Sequence, residues 1–310
     1  MGGTVVRETQ GWGEERGSAV ALLAVTLAAT LTMGALVVDG GRAFVTRCQL
    51  QNVADAAALA AVSYLPEDPA GADRVARELV ELNAVGPVSL WVEISEDRHR
   101  ISLGLETSLP MTLAAGLGIA TARVTVGARA EVGAVSGLRG AQPFGILEAD
   151  FTFGELYTIK TGAGDGSQGN FGAIALGGTG AQVYEQNIRS GYQGWLRLGD
   201  VIPSEPGNMS GPTRRGLSYR LAADPGATFD CFRPGSPRLL YLPLLEPIQR
   251  PGRCDMKIVG FAAFFLEGVN GDRVLGRFLR YVTYDSVELG GPDYGLRGAR
   301  LVRWKEDVQR

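Results

Sequence analysis

The stretch from Ser18 to Val38, SAVALLAVTLAATLTMGALVV, holds no charged residue and dominates what this chain of 310 residues can become. At about 1.5 Å of rise per residue, such a run makes roughly 30 Å of helix, the thickness of a hydrocarbon core. A helix buried in a globular body is usually shorter, and the apolar part of a cleavable signal peptide stops after about 7 to 15 residues, before a cut among small residues. Length favours a retained anchor over those two readings. Charge leaves the orientation open, because Arg7 and Arg16 on one side are balanced by Arg42 and Arg47 on the other.

Helical character does not end with the apolar run. Asp39-Gly40-Gly41-Arg42 leads into AFVTRCQLQNVADAAALAAVSYL, which is rich in alanine, and the first proline is Pro66. Propensity therefore predicts one helix from Ser18 to Leu65, roughly 70 Å long, with Gly40 and Gly41 as its hinge. Phe44, Leu50, Val53, Ala57, Ala58, Ala61 and Val62 recur at three- and four-residue steps and form one apolar stripe. So much alanine allows close approach, either by the chain's own globular body or by a second copy of the helix. Cys48, on the same helix, reads as a small apolar filler.

The block from Arg16 to Leu65 resembles the N-terminal segment of the Tad (Flp) pilus-assembly family, the TadE/TadG-like proteins. The resemblance rests on Arg16, Gly17 and Ser18 before the span, then Val38, Asp39, Gly41 and Arg42. It continues through Leu50, Gln51, Asn52, Ala54, Asp55, Ala56, Ala57, Ala58, Leu59 and Ala60. It implies a single-pass cell-membrane protein of bacteria with its bulk outside the cytoplasm. That protein would work with other pilus-assembly or pilin-like proteins and have no enzymatic activity. Two features of related proteins are missing. A prepilin cut site would place glutamate five residues after a glycine, yet Gly11 is followed at that offset by Arg16 and Gly13 by Ser18. A von Willebrand type A metal loop would read Asp-x-Ser-x-Ser, whereas Asp165-Gly166-Ser167-Gln168-Gly169 lacks the second serine.

Beyond Pro66 the pattern changes. Residues 71–84 predict a helix, SLWVEIS and RISLGLE a hairpin about Glu96-Asp97-Arg98-His99, TSLPMTLAAGLGI a short helix, and Ala122 to Gly133 a strand. GAVSGLRG, residues 133–140, reads as a linker. Strands then dominate, interrupted by helices at Ala181 to Ser190 and Thr213 to Ala223. The apolar stretch Lys257 to Leu266 predicts a strand buried on both faces. The expected fold is thus a membrane-anchored α+β chain: tail 1–17, span 18–38, helical extension 39–65, small α+β module 66–136, and a mainly β sandwich- or barrel-like body over 143–310. GNFGAIALGG, GDVIPSEPGNMSGPT and VGFAAFFLEGV resemble the C-terminal region of some Tad-like proteins of Gram-positive bacteria.

Few residues invite chemistry. A formal net charge of −3 gives no field for nucleic acid. The lone His99 sits in a turn with no nucleophile beside it in sequence. Gly164 to Gly169 fits a dinucleotide-binding pattern, but a predicted strand follows where a helix N-terminus is required. Asn208-Met209-Ser210 is a glycosylation sequon, and Asp200, Glu205 and Asn208 offer oxygens to calcium without EF-hand spacing. Cys231 and Cys254 flank a proline-rich excursion that a disulfide would close in an oxidising compartment. No catalytic, cofactor or metal site is expected. The alternative to a pilus component is a membrane-tethered extracytoplasmic binding domain or enzyme, which a deep pocket of convergent carboxylates in the 143–310 body would favour.

Overall fold

The computed structural model describes residues 12–147, 151–160, 171–207, 209–250, 253–270 and 273–303. Helix α1 (Trp12–Val62) is a single rod of 51 residues, about 75 Å long at the standard rise. Gly40 and Gly41 pass through it without a break, which corrects the expected hinge. A glycine weakens a helix by roughly 0.5–1 kcal/mol but removes none of its hydrogen bonds. The apolar half stands free, with Val20, Leu23, Leu27 and Leu31 exposed. The other half buries Leu50, Ala54, Ala57, Ala58, Ala61 and Val62.

Two residues fall off that buried face. Phe44 is 68% exposed, being about 120° from Leu50 around the axis. Cys48 is an exposed free thiol rather than a filler, because it lies on nearly the opposite side of the rod from Leu50.

After a turn containing the cis Leu65–Pro66 bond, α2 (Pro69–Asn83) begins where Asp68 accepts a hydrogen bond from the Gly71 amide at 2.8 Å. Strands β1 (Ser89–Ile94) and β2 (Arg100–Pro110) form the predicted hairpin. A short 3-10 turn (Ala114–Leu117) then leads into β3 (Thr121–Leu138). The expected short helix is thus split between the end of β2 (residues 107–110), a loop and one 3-10 turn, and most of the expected linker is the end of β3. A run of small residues reads as a flexible joint, yet here Ala134 and Gly133 pair with Arg297 and Gly298 across the sheet.

The remaining elements are β4 (Phe144–Leu147), β5 (Leu156–Lys160), β6 (Phe171–Ala173), α3 (Ala181–Ser190), β7 (Leu196–Arg197), β8 (Val201–Pro203) and α4 (Ser210–Ala223). They continue as β9 (Leu239–Arg250), β10 (Arg253–Asn270), β11 (Arg273–Leu279), β12 (Tyr281–Thr283), β13 (Val287–Leu289) and β14 (Leu296–Val302). Two seven-stranded sheets result. One runs β1-β2-β3-β14-β12, with β13 and β7 also on β3; the other runs β5-β11-β10-β9-β4-β6, with β8 on β10. The last strands therefore return to the first sheet, so residues of the 66–136 module and the 143–310 body share one sheet.

Burial follows side-chain alternation. On β10, Phe261, Ala263 and Phe265 enter a core shared with Val135, Leu138 and Leu296 of the first sheet. Ala262, Phe264 and Leu266 enter another core beneath Tyr184, Ile188 and Leu217 of α3 and α4. This is the two-sided burial that the apolar run Lys257 to Leu266 implied. Beside it, a Cβ on Gly276 would collide with the Phe265 carbonyl oxygen and the Phe264 ring. Gly276→Ala is expected to cost about 2 kcal/mol as overpacking, read as a lower denaturant midpoint.

Candidate functional site

The residues that carry the family resemblance fall into three groups, and the structure gives each a different neighbourhood. Just past the apolar run of α1, Asp39 is 3% exposed although most of its neighbours face outward. Its carboxylate accepts hydrogen bonds from the amides of Thr112 (3.0 Å), Leu113 (2.9 Å) and Ala114 (2.7 Å) and from the Thr112 hydroxyl. The Ala114 amide, aided by the Thr112 hydroxyl and the other two amides, pulls the Asp39 carboxyl down to about 2. Arg42, one turn on, lies 3.7 Å from Asp39 and donates to the Pro110 carbonyl at 3.3 Å. The two motif residues thus clamp the loop between β2 and β3 to the rod.

Further along, Gln51 donates through Nε2 to Asp55 Oδ1 at 2.8 Å and to the Gly127 carbonyl of β3 at 3.0 Å. Leu50 and Ala58 are buried on the same sheet. Beyond the end of α1, Arg297 of β14 donates to Glu67 at 2.7 Å and to Asp293 at 2.6 Å, which holds the Glu67 carboxyl below its usual range. The outer half of α1 is therefore fastened at its base, along its length and just past its tip.

Gly41 and Asn52 stand apart from these attachments. Both are exposed, and nothing lies within 4 Å of a Cβ built on Gly41. Gly41→Ala should therefore stabilise the helix by about 0.5–1 kcal/mol, visible as a higher thermal midpoint. The loop residues Thr112 to Ala114 were not anticipated from sequence. Their partner is 73 residues away from Thr112, and a stretch without charge gave no sign of meeting a carboxylate.

The other candidates do not converge. Cys231 is free and exposed, and nearby Phe232 packs against Phe265 with tilted rings whose centroids are 5.0 Å apart. Cys254 pairs with Gln249 at the other end of β10, while Phe265 pairs with Leu239. That separation along the strand is roughly 30 Å, far beyond disulfide reach, so the expected Cys231–Cys254 bond is corrected. The excursion between them is β9 and its hairpin rather than a loop needing closure. Asp200 accepts from the Arg197 amide at 2.8 Å, and buried Glu205 accepts from the Gly180 amide. Among the described residues no three His, Cys, Asp or Glu side chains gather as metal ligands. Asn208 and Gly164 to Gly169, with the Asp165 loop, lie outside the described residues.

A cleft of about 470 Å³ brings Arg139, Arg189 and Arg220 together with one carboxylate, Asp285. That lining differs from the convergent carboxylates that the tethered-enzyme alternative called for. Buried Arg220 donates to the carbonyls of Ile188 and Pro237, and its burial pulls the guanidinium down to about 10.

The described helix from Ser18 to Val62 is long and apolar enough to cross a membrane. No curated protein and no solved structure matches the chain. Residues 17–64, which contain the uncharged run, the Asp39 clamp and the alanine face, match the Tad family model, described as "Putative Flp pilus-assembly TadE/G-like".

Proposed function

We propose that the chain is a structural or assembly component of a Tad/Flp-type pilus or related envelope appendage. It is anchored in the cell membrane by a single pass of α1, with its bulk outside the cytoplasm. Its role is mechanical rather than enzymatic. The observation that carries this reading is the Tad match over residues 17–64, together with the way that same segment is fixed to the body by Asp39, Gln51 and the alanine face. A rigid connection between lipid and a folded body suits a protein that positions other components at the membrane surface. The alanine face is taken up by the chain's own sheet, so contacts with pilin-like partners or with a second copy fall to the exposed side of the rod, which carries Gly41, Val45 and Asn52.

Deletion of the gene is expected to abolish surface filaments, and expression of the full chain to restore them. Normal filaments in the deletion strain would refute the assignment. Orientation has its own test: protease added to intact spheroplasts should digest the body, and a fully protected body would reverse the placement.

A further inference from the structure

The loop clamped by Asp39 is unusually apolar for a segment at a surface. Between Glu106 and Arg123 the sequence is TSLPMTLAAGLGIA followed by Thr121 and Ala122, with no charge. Leu113 is 48% exposed and Ile119 55% exposed. The clamp fixes the height of this loop along the rod, because Thr112, Leu113 and Ala114 all bind Asp39, the first residue past the apolar run. The loop also reaches lower. The 3-10 turn packs on α1, and among the described residues of the run Ser18 to Val38, Ala35 is the one that is buried, at 3%. Ala35 lies one turn below Asp39 on the same face, about 6 Å deeper along the axis.

We infer that the loop from Met111 to Ala120 is a second membrane contact, seated at the boundary between headgroups and acyl chains with Leu113 and Ile119 turned into lipid. This rests on the proposed reading of α1 as an anchor. Given that anchor, continuity with the span selects the occupant: a loop held at the level where the apolar run ends, on the face that buries Ala35, occupies the depth where interfacial elements sit, about 5–10 Å into the boundary. Exposed leucine and isoleucine are unfavourable in water and favourable at that depth. Backbone groups there must be satisfied within the protein, and Asp39 accepts from three consecutive amides of the turn. The Met111 amide in turn donates to the Ala120 carbonyl at 2.9 Å, closing the neck of the loop.

The test uses the full chain in liposomes, with Cys48, Cys231 and Cys254 replaced by alanine and a nitroxide label placed singly through Leu31→Cys, His99→Cys, Leu113→Cys or Ile119→Cys. Label accessibility to oxygen, which concentrates in lipid, is compared with accessibility to a water-soluble nickel chelate. Labels at 31, 113 and 119 are expected to favour oxygen several-fold, and the label at 99, in the distant β1–β2 turn, to favour nickel. Adding Ile119→Asp should shift the label at 113 towards nickel while leaving the melting temperature unchanged, since the residue 119 side chain is exposed and takes no part in the Asp39 clamp. If 113 and 119 behave like 99 while 31 remains in lipid, the inference is overturned and the anchor stands. If 31 itself favours nickel, the anchor reading fails and takes this inference with it.

Discussion

Asp39→Ala will release the loop between β2 and β3 from the rod while leaving both sheets intact. The carboxylate is the acceptor for three successive amides and a hydroxyl, and an alanine offers none of them a partner. Hydrogen exchange at Thr112, Leu113 and Ala114 should accelerate roughly tenfold or more, because protection there depends on a local contact rather than on global unfolding. Amides paired between β2 and β3, such as those near Leu103 and Ala128, should exchange at unchanged rates. Asp39→Asn should fall between, since it keeps one acceptor oxygen without the charge that makes such bonds strong.

The pH dependence has a defined sign. The Asp39 carboxyl titrates near 2 in the folded chain, against an ordinary 3.8. Its depressed value means that the clamp is fully present above about pH 4 and is lost as pH falls through about 2. The protection difference between the natural chain and Asp39→Ala should therefore be constant from neutral pH down to about 4 and shrink below it. A difference that instead vanished near neutral pH would contradict the ionised clamp.

A larger loss of stability is expected from Arg238→Met. Arg238 is 8% exposed and sits just before β9, where it donates to the carbonyls of Leu266 (2.8 Å), Ala227 (2.5 Å) and Glu267 (3.0 Å). Its guanidinium also lies 5.0 Å over the Phe265 ring. Methionine keeps the unbranched stem but ends where the guanidinium begins, and it leaves three carbonyl groups without their donor. Stranding a buried polar group costs roughly 1–3 kcal/mol, so the total should be about 3 kcal/mol or more, and the attraction between the cation and the Phe265 ring disappears as well. Equilibrium urea unfolding should show a lower midpoint at an unchanged slope. Arg238→Lys should recover only part of the loss, because one ammonium cannot reproduce a planar fork that reaches three directions.

What the sequence disclosed and what it concealed divide along a physical line. Local signals were legible. The uncharged run gave the apolar half of α1, alanine and the absence of proline gave the rod, and α3 was found at its observed limits, Ala181–Ser190. The two-sided burial around Phe261 to Leu266 was readable because both faces of that strand demand apolar residues. Long-range pairings were not legible. Nothing in GAVSGLRG shows that β14 returns to pair with it, and small residues carry too little pattern to distinguish a strand from a linker. Cys231 and Cys254 looked adjacent because the intervening chain contains prolines, yet Pro243 and Pro247 lie within β9. The Asp39 clamp combined both difficulties: its aspartate was visible as part of a motif, whereas the amides it binds are a property of backbone geometry that no residue type announces.

Given the proposed anchor, the unbroken course of α1 through Gly40 and Gly41 turns the protein into a lever. A jointed anchor would let the body keep its posture whatever the helix did in the bilayer, whereas this one must lean with it. The outer half of the rod is about 36 Å long, so ~10° of tilt, well within the range that spanning helices adopt as bilayer thickness varies, would carry its tip sideways by roughly 6 Å. Bilayer thickness would in this way steer where the folded body points.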